Sequence, residues 1–134
     1  SLVKTIKQRA FLELPIIGIC AGMQILFNES KEGTKKGLGL IEGKISELES
    51  FNIGWISTFF LNKKLEILNN FYYYNHSYFI SNTPYDFAIS EIKSQQISSA
   101  VLHKNILGLQ FHPEKSQNSG KLLLRNLNNI FKYD

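Results

Sequence analysis

The sequence predicts an α/β fold: a mainly parallel sheet flanked by helices, with an antiparallel carboxyl-terminal portion. Three observations carry that expectation. The first 29 residues read helix, strand, sharp turn, helix. Strand-like runs recur between positions 71 and 111, and the last two are separated by a short turn at Lys104 and Asn105. An amphipathic stretch then closes the chain.

Over 2–14 the apolar residues Leu2, Val3, Ile6, Ala10 and Leu14 recur at helical spacing, with Lys4, Lys7 and Arg9 between them. Pro15 ends that pattern. Ile16, Ile17, Gly18 and Ile19 form the short apolar run of a parallel strand buried on both faces, with Cys20 at its carboxyl end. Positions 21–27 return to helix-compatible residues. Gly37, Gly39 and Gly43 punctuate a loop and a strand over 40–48, and a further apolar stretch covers 53–60. Strands are expected at 71–80, 87–92, 99–102 and 106–111. Leu123, Leu127, Ile130 and Phe131 mark one face of a closing helix that starts near Ser119 or Gly120.

The 134 residues, 43% hydrophobic and 13% aromatic, suit one globular domain spanning 1–134 and exclude a disordered chain. No apolar run approaches the roughly 20 residues of a bilayer span, so no membrane protein is expected. The 15 basic and 11 acidic residues leave a net charge of +4, scattered without a dense basic run, which argues for no nucleic-acid partner. One cysteine cannot form an internal disulfide, and a cytoplasmic setting follows as the default. The chain opens at Ser1 directly into a helix, and a preceding segment is expected.

In GICAGMQ, Gly18 and Gly22 flank Cys20 at two-residue spacing, as in a nucleophile elbow, where a strained strand-to-helix turn needs small neighbours. A helix N-terminus beside the sulfur favours thiolate, so a lowered thiol pKa is expected, and the Ala21 N–H can face an oxyanion formed there. Taken alone, Cys20 fits equally a small buried residue closing a strand. In QFHPEKSQ, His112 and Glu114 stand two apart at a strand end, so that a carboxylate can orient an imidazole. Alone, that tripeptide reads as a surface turn. Together the two segments bring thiol, imidazole and carboxylate to the strand ends where α/β proteins place their sites.

This order of Cys, His and Glu resembles the class I glutamine amidotransferases, whose glutaminase domain carries a G-x-C-x-G-x-Q elbow and a downstream H-P-E. Within them, the segments GICAGMQILF, GLGLIEGKI, YNHSY and GLQFHPEKSQNSG are most similar to the glutaminase subunits of imidazole glycerol phosphate synthases. The resemblance implies a flavodoxin-like fold, with Cys20 as nucleophile, His112 as general base and acid, and Glu114 as the orienting carboxylate. It further implies that Gln24, Ala21, His76, Ser77 and Tyr78 bind glutamine, with no metal and no cofactor. The implied partner is a synthase subunit with a (β/α)₈ barrel that takes up the ammonia for histidine biosynthesis. His76 taken alone also fits an ordinary strand histidine, and His103 stands in no motif.

The pattern departs from the family at named places. Ala21 stands where Leu is usual, and Ile53 and Ile56 flank Gly54 and Trp55 where the family has Met-Gly-Trp-Asn near the synthase interface. The family's amino-terminal portion, with a glycine-rich loop that gives a second oxyanion donor, has no counterpart in these residues. Without that donor, turnover falls by about a hundredfold to a thousandfold, so little activity is expected of these residues alone. Two other readings stay open: a paralogue feeding ammonia to another acceptor, such as a sugar precursor of a surface polysaccharide, and a non-catalytic binding subunit.

Overall fold

The computed structural model describes residues 1–30 and 37–132. Ser1 caps α1, Leu2–Phe11, by accepting a hydrogen bond from Lys4 N–H at 3.3 Å. The helix ends before Pro15, with Glu13 in the left-handed region at φ 57°. Its apolar residues are not buried as amphipathy suggests: Phe11 is 85% exposed, and no residue of α1 is buried.

Strand β1, Ile16–Ile19, runs parallel to the late strand Ile106–Leu109, pairing Ile16 with Ile106 and Ile19 with Leu109. It stands at the end of the strand order, so only Gly18 is buried, contrary to the expected burial on both faces. The helix expected over 21–27 is a single turn, α2, Ala21–Gln24. Tertiary pairing cuts it short. The carbonyls of Ile25, Leu26 and Phe27 accept from the N–H groups of Leu38, Leu40 and Gly39, and Phe27 opens β2, Phe27–Ser30.

The two stretches expected at 40–48 and 53–60 join into one 20-residue strand, β3, Ile41–Phe60, irregular between Glu47 and Asn52. Gly43 lies within it, where a Cβ would come 2.6 Å from the Phe27 ring. The beginning of β3 pairs in parallel with β2, its end pairs with β5, Asp86–Ile92, and its length pairs with β4, Asn70–Phe79. A 3₁₀ segment, Lys63–Leu68, links β3 to β4 and had no counterpart in the sequence reading. Strands β6, Gln95–His103, and β7, Ile106–Leu109, form the expected hairpin, with Lys104 at φ 55° in its turn. The described strands follow the order β1-β7-β6-β5-β3-β2, with β4 on β3. The fold is α/β as expected, but the sheet is mixed: among the described pairings only β1–β7 and β2–β3 are parallel, while β3–β4, β5–β6 and β6–β7 join consecutive strands antiparallel and β5 returns antiparallel beside the end of β3.

Strands β6 and β7 are covered on both faces. Ala100, Leu102, Leu107 and Leu109 join the cluster of Tyr72, Tyr74 and Phe111 on one side, while Val101 and Ile106 meet Met23, Leu26 and Phe27 on the other. Leu123 of α3, Gln117–Arg125, and Ile130 of α4, Leu127–Ile130, seal the first cluster. The closing helix starts two to three residues earlier than expected and is broken at Asn126, whose amide donates to Leu122 O at 2.7 Å. Among the described residues no helix is long and apolar enough to cross a membrane.

Candidate active site

One edge of β4 organises the site. Phe71 O accepts from Ser119 Oγ at 2.7 Å, Tyr73 N–H donates to Ser116 Oγ at 2.9 Å, Tyr73 O accepts from His112 N–H at 2.9 Å, and Asn75 O accepts from Cys20 Sγ at 3.5 Å. Alternate residues of a strand turn their backbone groups to the same edge, and here positions 71, 73 and 75 turn away from β3. The carbonyls that hold His112 and Cys20 are thus neighbours, about 6–7 Å apart along the strand. Residues distant in the chain meet because each docks on this rail.

Cys20 adopts φ 55° and ψ −111°, a conformation that non-glycine residues rarely take and that costs on the order of 1–3 kcal/mol. Three backbone bonds hold it there: Cys20 N–H to Leu109 O at 2.7 Å, and Met23 and Gln24 N–H to Cys20 O at 3.0 and 3.2 Å. The elbow expected from the glycines is present, with unequal roles for the two. A Cβ at Gly18 would come 2.5 Å from Gly22 O, whereas one at Gly22 would meet open space.

The expected lowering of the thiol pKa is reversed. Burial pushes the Cys20 thiol up, and the Glu114 carboxylate adds to this, outweighing the Ala21 N–H, the Lys115 charge and the Gln110 amide, which pull it down. With only one turn in α2, the helix field behind that expectation is small. The resting group is a thiol, and its reactivity depends on a base.

His112 is extended, at φ −99° and ψ 97°, and Pro113 opens the 3₁₀ turn Pro113–Lys115. This turn, rather than a continued strand, brings Glu114 back to the ring: Oε2 lies 2.9 Å from Nδ1. Nδ1–H donates to the carboxylate, which leaves the Nε2 lone pair available as a base. Partial burial raises the Glu114 pKa, but the bonds from His112 and from its own backbone N–H, with the charges of His112 and Lys115, bring it below the usual value. Ser116, buried beside Tyr73, donates to His112 O at 2.6 Å and locks the turn.

Gln24 points inward. Its Nε2 donates to Tyr78 O at 3.0 Å and to Gln110 Oε1 at 3.2 Å, while Gln110 Nε2 lies 3.8 Å from Cys20 Sγ. His76 is 4% exposed; its Nδ1 lies 2.7 Å from Tyr78 O and its Nε2 2.9 Å from Asn52 Nδ2. A carbonyl only accepts, so Nδ1 carries the proton and Nε2 accepts from Asn52. Burial lowers the His76 pKa, partly offset by the Tyr78 carbonyl and deepened by the charge of His112. The ring is neutral and internal. Ser77 is half-buried on β4, and Ala21 is exposed beside the thiol. His103 stacks on Tyr85 with centroids 4.4 Å apart. Trp55 stands exposed against the Tyr73 ring, and Ile56 packs on the core.

Sequence reasoning missed Gln110, Asn52, Asn75 and Ser116. Asn75 lies inside YNHSY beside His76, and Gln110 and Ser116 lie inside GLQFHPEKSQNSG two residues from His112 and Glu114, whereas Asn52 lies in none of the segments.

Over residues 1–129 the chain matches the family described as Glutamine amidotransferase class-I. It is 38% identical over 126 residues to the imidazole glycerol phosphate synthase subunit HisH of Pyrococcus furiosus, covering 87% of this chain and 65% of that protein. It is 39% identical to the subunit of the same name from Leptospira interrogans, covering 85% of this chain and 63% of the relative. The chain thus spans less than two thirds of the length of these relatives. Among solved structures, a glutamine amidotransferase aligns with a TM-score of 0.66 at 15% identity, over 92% of this chain and 66% of the other. Another, from Thermotoga maritima, aligns at 0.64 with 18% identity, over 98% and 56%. At these identities the structures bear on the fold alone.

Proposed function

The chain belongs to the class I glutamine amidotransferases, and from that membership we propose that it hydrolyses glutamine to glutamate and ammonia through Cys20, His112 and Glu114. We further propose that it delivers the ammonia to a barrel-shaped synthase subunit that makes imidazole glycerol phosphate for histidine biosynthesis. The observation that carries the chemistry is the strained Cys20 held on the same β4 edge as the His112–Glu114 pair. The subunit name borne by the relatives supports the acceptor.

His112 Nε2 takes the thiol proton as S–H leaves Asn75 O, and sulfur adds to the side-chain amide carbon of glutamine. The oxyanion faces the Ala21 N–H. The imidazolium then returns the proton to nitrogen, the C–N bond breaks, ammonia departs and a glutamyl thioester remains. Water, deprotonated by His112, attacks the thioester; glutamate leaves and the thiol is restored. Glu114 keeps the imidazole in the competent tautomer and offsets its positive charge.

The test extends these residues by the family's amino-terminal portion, combines the protein with the histidine-pathway synthase subunit, follows glutamate release, and reacts Cys20 with an electrophilic glutamine analogue. Turnover and a single adduct on Cys20 are expected, and Cys20→Ser removes the adduct and lowers turnover by up to roughly 10⁶-fold. Absence of both glutamate and adduct in the wild-type complex refutes the glutaminase. Turnover only with a different synthase refutes the proposed acceptor and leaves the glutaminase standing.

A further inference from the structure

We propose that Gln110 is a positioning residue for the nucleophile: its buried carboxamide turns an N–H toward Cys20 Sγ and so couples the orientation of Gln24 to the stability of the thiolate. The inference rests on the reading of Cys20 as the nucleophile.

The argument follows the polarity of one hydrogen-bond chain. Gln110 has no exposed surface, and its N–H is pinned to Ser99 O at 2.8 Å, so its side chain has little freedom. At the far end of the chain, Tyr78 O can only accept, and it does so from His76 Nδ1 and Gln24 Nε2. That carbonyl fixes the amide of Gln24 with its NH₂ group inward. The second hydrogen of the same NH₂ then requires an acceptor on Gln110, which presents Oε1 at 3.2 Å. An amide that turns its oxygen to Gln24 turns its nitrogen the other way, and that nitrogen lies 3.8 Å from Cys20 Sγ. Two amides therefore transmit the polarity of a backbone carbonyl to the sulfur, which meets a donor where a flipped Gln110 would offer an acceptor.

This donor matters once the proton leaves. In the thiol state Sγ donates to Asn75 O; in the thiolate state that carbonyl repels the charge, and the Gln110 and Ala21 N–H groups remain to stabilise it. Burial opposes the thiolate here, and the Gln110 amide is among the groups that counter it. An amide does not titrate, so its contribution persists at every working pH.

Cys20 is the sole cysteine, so the pH dependence of its alkylation by iodoacetamide reads this thiol without background and without glutamine turnover. Gln110→Met keeps length and removes the donor. The alkylation midpoint is expected to rise by about one pH unit, with about tenfold slower reaction at neutral pH. Gln110→Glu, which puts an anion where the donor was, raises the midpoint further. Gln24→Met, which frees Gln110 to flip, raises it by less than Gln110→Met, and it carries the test if the Gln110 variants do not fold. Folded Gln110 variants with the wild-type midpoint, or a folded Gln24→Met with an unshifted midpoint when only that variant folds, overturn the proposal. Shifted midpoints in a protein that never hydrolyses glutamine uphold the Gln110 donor to the Cys20 thiolate and refute the proposed function, so the two failures are distinguishable.

Discussion

Replacing Gly120 by Ala sets two physical effects against each other. Within a helix the change is favourable by about 1 kcal/mol, because alanine loses less backbone freedom on folding. In α3, however, a Cβ at 120 would fall inside the contact envelope of Pro113 O, 2.8 Å from the carbonyl carbon and 3.1 Å from Cα. All three atoms are backbone, so no side chain can swing aside. Ordinary carbon contacts lie at about 3.5–4.0 Å, so helix and turn must separate by roughly 0.7 Å or more. Neither partner is free to retreat. The helix is tied to β4 through Ser116 and Ser119, and the turn carries His112 and Glu114. Overpacking costs about 1–3 kcal/mol, and each hydrogen bond loosened adds about 1 kcal/mol. After the helix gain is subtracted, Gly120→Ala should destabilise the protein by about 2 kcal/mol, or roughly 8 °C in Tm. Urea unfolding followed by circular dichroism and by fluorescence of the single Trp55 measures this. A variant more stable than wild type by about 1 kcal/mol, as helix propensity alone would have it, would show that the Pro113 contact does not constrain this helix.

Two further predictions concern buried polar groups. The hydroxyls of Thr58, Tyr74, Ser90 and Ser99 form a closed buried cluster in which Tyr74 Oη reaches the other three at 2.6, 2.9 and 2.8 Å. Tyr74→Phe should cost about 1–3 kcal/mol in urea unfolding, and an unchanged midpoint would mean that the remaining hydroxyls satisfy one another. His76, whose pKa is lowered by burial, binds fewer protons folded than unfolded, so its contribution is present above the unfolded value of about 6.5 and is lost as pH falls through the depressed folded value. Unfolding midpoints at pH 7.5 and 5.5 should therefore converge in His76→Gln relative to wild type, and an equal loss in both proteins contradicts the neutral buried assignment.

The elbow, the strand segments and the pairing of His112 with Glu114 were readable along the chain because they rest on short-range causes. Gly18 beside Gly22, alternating apolar residues and a proline-led turn act within a few residues. Other outcomes depend on atoms far away in sequence. The 21–27 helix stops after one turn because residues 38–40 take its carbonyls, and the stretches at 40–48 and 53–60 fuse because β4 pairs along both. The His76 ring takes internal bonds with Asn52 and Tyr78 O, and burial reverses the expected thiol shift. Composition and spacing thus determined which groups are candidates for the proposed chemistry, since those are properties of neighbours in the chain. The protonation of Cys20, the inward amide of Gln24 and the role of Gln110 were decided only when the folded core removed water and the free edge of β4 chose each group's partner.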